Sequence, residues 1–251
     1  MIIPMDIRMT HIILFLYFLN ISAGIAGLAA MAVLHSRLRQ EVTGSLLFVM
    51  STLLASLVLT LLSYYFGSII GKPDYGISLR FTLGFTVAVS ARLGILRALL
   101  FMKGISRSGS ISMTAGVIAV HAVNGFLAIT GKTEILSILY FPSIFLVSLY
   151  LLCIGALLLR GSSSENDGTV KTLLRRLGIL LLVFAPLSTI GYLLFRIFPA
   201  MAKFHISFDF FFFLAWSLIT VSVFLKYMSR PVSLLESGGI SSSFEIGRAH
   251  V

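Results

Sequence analysis

Seven apolar runs, each about as long as the roughly 20 residues a helix needs to cross a bilayer, dominate this chain. They cover approximately 10–34, 44–70, 78–102, 111–130, 135–159, 177–198 and 208–228. Short polar connectors separate them: "HSRLRQEVT", "GKPDYG", "KGISRSGS", "GKT", "GSSSENDGTVK" and "PAMAKFH". Phe, Leu and Ile fill the runs without strict alternation, which argues against a β-barrel. Backbone groups in hydrocarbon must find partners within their own segment, so each run is expected to be a helix. The fourth run, "ISMTAGVIAVHAVNGFLAIT", is the weakest because it carries His121 and Asn124. No internal repeat is visible, and no matched pair of Gly/Pro-broken helices marks two inverted halves.

Composition agrees. Hydrophobic residues make up 58% of the chain and charged residues only 11%, with a mean hydropathy of +1.03. Soluble domains carry about 25% charged residues, so there is too little polar surface here to coat a globule in water. The net charge of +10 is spread in ones and twos between apolar runs rather than gathered into a nucleic-acid-binding stripe. The single cysteine, Cys153, lies inside an apolar run and forms no CxxC motif. An "AAMA" site near Ala32 could suggest signal cleavage. The first run is longer than the roughly 7–15 residues of a signal core, however, and Arg37 and Arg39 follow it, so a retained helix is expected.

Loop charge orients the bundle. Arg37, Arg39, Lys103, Arg107, Arg160, Lys171, Arg175, Arg176, Lys226 and Arg230 fall on one side, and Arg8, Lys72, Lys132 and Lys203 on the other. Ten basic residues against four in short loops predict the N-terminus outside and the C-terminus in the cytoplasm of a cytoplasmic (inner) membrane. The fold expected is an all-α bundle of seven transmembrane helices over 1–230.

After the last run, "VSLLESGGISSSF" reads as a flexible cytoplasmic linker over 231–244. Residues 245–251 depart from it. Ile246-Gly247-Arg248-Ala249-His250-Val251 resembles the translation of an adapter ligated to sequencing libraries. On that reading the native sequence is cut near Phe244, where a second domain is expected.

Arg92 is the most informative single residue. Between Arg80 and Lys103 the third helix covers about 34 Å, and Arg92 sits near its middle, where a charge costs at least ~2.5–3.5 kcal/mol. No Asp or Glu occurs at mid-depth in any run. Asn20, His121, Asn124, Ser188 and Thr189 fall at comparable depth, the last two beside Pro186. With Arg92 they could line a pocket for a small anionic or carboxylate-bearing ligand, gated by a kink at Pro186. The alternative is interhelical hydrogen bonding that holds the bundle together, at ~0.6 kcal/mol per contact. A second candidate is an outer vestibule of Arg80, Arg196 and Asp209, with Lys203, His205 and nearby tyrosines; against it stands the ordinary role of such residues as interfacial anchors. The run "FDFFFFLAWS" covers every side of a helix turn and is expected to meet core or lipid.

No enzyme, cofactor or metal centre is expected. HExxH, GxSxG, phosphate-loop and GxGxxG patterns are missing, and the histidines before the tail are far apart. Two seven-helix families are set aside on their residues. "ARLGILRALLFMKG" lacks the Asp/Glu-Arg-Tyr of G-protein-coupled receptors, and the last run lacks Asn-Pro-x-x-Tyr. Its lysine, Lys226, lies at the inner end, where no retinal Schiff base could sit mid-helix.

The architecture that remains, six or seven helices followed by a Ser/Gly-rich cytoplasmic linker, resembles the membrane input module of prokaryotic one-component regulators with a LuxR-type helix-turn-helix output. It is similar also to the membrane inputs of sensor kinases and cyclases. The resemblance covers residues 1–244 and implies a sensory module. Its partners would be the lipid bilayer, a small anionic ligand, a second copy of the chain, and DNA only through the missing output domain. The competing expectation is a small permease or lipid-handling protein.

Overall fold

A computed structural model describes the backbone of residues 7–70, 73–197 and 202–229; 63–85 and 202–210 are among the helical residues outside the described side chains. The described backbone consists of helices joined by short connectors, without strands. Seven helices follow in order: α1 (Ile7–Leu38), α2 (Glu41–Ile70), α3 (Pro73–Phe101), α4 (Arg107–Ile129), α5 (Thr133–Ser164), α6 (Gly168–Ile197) and α7 (Ala202–Met228). The expected linker 231–244 and tail 245–251 lie outside the described residues.

Among the described residues six helices are long and apolar enough to cross a membrane, namely all but α3, whose first thirteen residues fall outside the described side chains. The protein is a multi-pass membrane protein. Its surface fits that solvent: Phe15, Phe18, Phe126, Ile138 and Phe211 all point outward. The phenylalanine run splits as a helix requires, with Phe211 exposed, Phe212 half-buried and Phe213 buried.

Each helix packs on its neighbours in sequence, and α7 returns to α1, so the seven close into a ring. A narrow extra contact joins α3 to α5 past α4. Small residues set the close crossings. A Cβ on Gly155 would lie 2.9 Å from the Gly178 carbonyl oxygen, and one on Gly178 would lie 2.9 Å from that of Gly155, so α5 and α6 meet backbone to backbone. Gly94 opens α3 to Val49 and Phe48 of α2 in the same manner. The buried cluster gathers Met31 and Leu34 of α1, Leu46 and Met50 of α2, Leu99 of α3, Ile154 of α5, Leu173, Leu174 and Leu177 of α6 and Trp216 of α7.

The helices outrun the apolar runs, most of all at α6. The sequence reads "GSSSENDGTVK" as a connector, yet α5 continues to Ser164 and α6 starts at Gly168. The reason is a cap plus an apolar stripe. The Asp167 carboxylate accepts the backbone N–H of Thr169 (2.7 Å) and of Val170 (3.0 Å), as an N-cap should. Val170, Leu173, Leu174 and Leu177 then recur at helical spacing and are all buried. Lys171, Arg175 and Arg176 stay exposed on the opposite face. A search for unbroken apolar length passes over such an amphipathic entry turn.

The α4–α5 turn closes on Gly131, at φ +69°, in the left-handed region that favours glycine. The Lys132 N–H bonds the Leu127 carbonyl at 3.0 Å, the six-to-one bond of a Schellman cap. At the end of the bundle rich in basic connectors, Ser164 Oγ donates to the Lys103 carbonyl (3.2 Å), Arg97 pairs with Glu41 (2.7 Å) and Arg176 donates to Ser222 Oγ (2.7 Å). That end is tied across α2, α3, α5, α6 and α7.

Candidate polar site between α3, α4 and α5

α4 is amphipathic in the sense opposite to that of a soluble helix. Ser110, Thr114 and Val117 are buried, and His121 and Asn124 continue the same stripe, half-buried, at steps of three and four. Ile111, Val123 and Phe126 face outward. A helix in lipid turns its polar residues to its neighbours because hydrocarbon offers them no partners. This rotation delivers His121 and Thr114 to the seam between α3 and α5.

Arg92 comes to the same seam from α3. Its guanidinium carbon lies 5.5 Å from the centroid of the Tyr150 ring, within cation–π range, and Tyr150 is only 2% exposed. The Tyr150 hydroxyl lies 3.5 Å from Thr114 Oγ1, a long hydrogen bond that fixes the ring against α4. His121 lies on the same face of α4 as Thr114, two turns along, and so faces the same seam. The buried Nε of Arg92 and the buried Nε2 of His121 both lack hydrogen-bond partners among the described residues. Every described carboxylate, Glu41, Glu134, Glu165 and Asp167, lies at a helix end. A permanent cation therefore stands inside the bundle without a counter-charge among the described residues.

Of the other sequence candidates, Asn124 belongs to the same junction and the rest do not. Asn124 is one turn from His121 and accepts from Ser143 Oγ of α5 at 3.3 Å, a direct α4–α5 tie. Asn20 is buried in α1 and donates to its own Leu16 carbonyl at 2.9 Å, leaving Oδ1 without a partner among the described residues. Ser188 and Thr189 belong to α6, which packs on α5 and α7. Thr189 Oγ1 donates to the Ala185 carbonyl (3.2 Å), which also receives Ser148 Oγ of α5 (2.7 Å). These bonds surround Pro186, whose missing N–H removes one rung of α6. The outer-vestibule residues Arg80, Arg196 and Asp209 lie outside the described side chains.

Arg92, His121 and Asn124 are thus brought to one junction, while Asn20, Ser188 and Thr189 serve other seams. The residues that sequence reasoning passed over are Tyr150 and Thr114. Both left a signal. Tyr150 precedes Arg160 by ten residues, as Arg92 precedes Lys103 by eleven, so the two share a depth. Thr114 stands seven residues before His121, on the same helix face. A second set of polar atoms without partners among the described residues, Trp216 Nε1 and Ser217 Oγ, is buried on α7.

Compared with known proteins, this chain matches no family model, no curated protein and no solved structure.

Proposed function

We propose that this chain is a membrane-embedded sensory module of a cytoplasmic membrane, its N-terminus outside and its C-terminus inside. Occupancy of the α3–α4–α5 junction by an anion is passed to a cytoplasmic output domain that follows α7, a LuxR-type DNA-binding domain being the form favoured by the resemblance. The observation that carries this reading is the Arg92 guanidinium, buried at Nε with neither a hydrogen-bond partner there nor a carboxylate at its depth among the described residues. A cation kept at that depth is costly, by ~2.5–3.5 kcal/mol or more, and a structural role alone would be served better by a neutral residue.

A route out of the junction supports signalling. Tyr150 shares α5 with Ser148, which bonds the Ala185 carbonyl beside Pro186 of α6; α6 in turn is tied near its start to α7 by Arg176 and Ser222. Movement of α5 at the site would reach the last turns of α7 through these bonds and the Gly155–Gly178 contact. The reading is tested by sequencing the gene beyond codon 244. An open frame encoding a helix-turn-helix is expected; an in-frame stop within a few codons would overturn it.

A second reading, a small permease, draws on the same cation and on the prolines inside α5 and α6, Pro142 and Pro186. Flux of a labelled anion into vesicles holding the protein, lost in Arg92→Leu, would favour it over the sensor.

A further inference from the structure

The donor set at the junction narrows the ligand beyond "anion". It holds one permanent charge, Arg92, and a group that is a donor in one tautomer, His121 Nε2, both without partners at their buried nitrogens. A monoanion brings the net charge there to zero. A dianion such as sulfate would leave an uncompensated negative charge in a low-dielectric seam, exchanging one desolvation cost for another. The Nε edge of a guanidinium also has a shape. Nε–H and the adjacent Nη–H are parallel and match two oxygens on one carbon, which a spherical halide cannot offer. The Tyr150 ring covers the guanidinium, and the Thr114 contact holds that ring in place, so the fork is oriented before a ligand arrives. Around these groups the seam is apolar: Ile95 and Leu99 of α3, Val117 of α4 and Ile154 of α5 are buried beside it along their helices.

We infer that the α3–α4–α5 junction binds the carboxylate of an aliphatic acid, its two oxygens on the Nε edge of Arg92 and one of them reached also by His121 Nε2. The inference rests on the sensory reading of the same site and deepens it by naming the ligand class. An apolar tail on the acid suits the surroundings, and the acid arrives either from water as a short-chain species or from the bilayer as a long-chain one.

The test uses the full chain in phosphatidylcholine nanodiscs, with [1-13C]acetate, [1-13C]octanoate and [1-13C]palmitate as probes read by carboxyl NMR against empty nanodiscs. At least one acid is expected to bind saturably, near one per chain. Palmitate or octanoate without acetate assigns the bilayer route, and acetate as well assigns the aqueous one. Sulfate and methyl octanoate are expected not to bind. Arg92→Met should weaken binding at least about tenfold, and Arg92→Lys, which keeps the charge but not the fork, by a similar factor. His121→Phe should weaken it several-fold. The Lys variant carries the result if the Met variant does not fold. Absence of saturable binding by the unsubstituted chain, binding of sulfate in preference to the acids, or undiminished binding in the Arg92 variants would overturn the inference. Binding is read here without any output. Acid binding that persists while the output stays silent would count against the sensory reading alone.

Discussion

The Arg92 guanidinium stands 5.5 Å from the centre of the Tyr150 ring, and this pair links α3 directly to α5. A desolvated cation–π contact contributes about 2 kcal/mol, whereas the long Tyr150–Thr114 hydrogen bond contributes less than a normal one. Tyr150→Phe should therefore cost under about 1 kcal/mol. Tyr150→Leu, which removes the ring, should cost about 2 kcal/mol or more. Reversible unfolding in mixed micelles separates the two; equal losses would mean that the hydroxyl, not the ring, matters.

Gly155 and Gly178 answer to a different physics. An added methyl on either meets the other's carbonyl oxygen, so Gly155→Ala or Gly178→Ala should push α5 from α6 and cost ~1–3 kcal/mol. Gly116 of α4 has nothing within 4 Å of such a methyl. Gly116→Ala should be neutral or stabilising by up to ~1 kcal/mol through helix propensity alone. Similar effects at Gly116 and Gly155 would contradict the close crossing.

Asp167 starts α6. Its replacement by Ala should cost about 1 kcal/mol, because two N–H groups lose their acceptor, while Asn should recover all but a few tenths. Hydrogen exchange at Thr169 and Val170 reports the same loss locally: faster in Asp167→Ala, nearly unchanged in Asp167→Asn.

The Arg97–Glu41 ion pair is short, at 2.7 Å, but both side chains are more than half exposed (61% and 56%). A double-mutant cycle should return less than about 1 kcal/mol of coupling, falling further at high salt. A larger, salt-insensitive value would mean that lipid shields this pair.

Orientation can be read chemically. In a Cys153→Ser background, a membrane-impermeant thiol reagent applied from outside should label a cysteine placed at Lys132 and spare one at Ser229. The reverse pattern would invert the bundle and move any output domain to the exterior.

The helical, membrane-spanning character was legible because it is local: about 20 apolar residues partition into lipid whatever surrounds them. Arg92 was legible for the same reason, since a charge in an apolar run stands out before any neighbour is known. The start of α6 was not. It depends on a cap and on an apolar face that only the packed α5–α6 interface makes favourable.

The sequence by itself determined that the chain is built of helices apolar enough for a bilayer and that a cation lies within one of its apolar runs, because transfer free energy is summed residue by residue along the chain. Only the tertiary structure decided that Arg92 meets Tyr150 and shares a seam with His121 rather than with Asn20 or Ser188. Which polar groups meet depends on how far each helix is rotated and on which neighbour it touches. Those are settled by contacts such as Gly155 against Gly178, between residues remote in the chain.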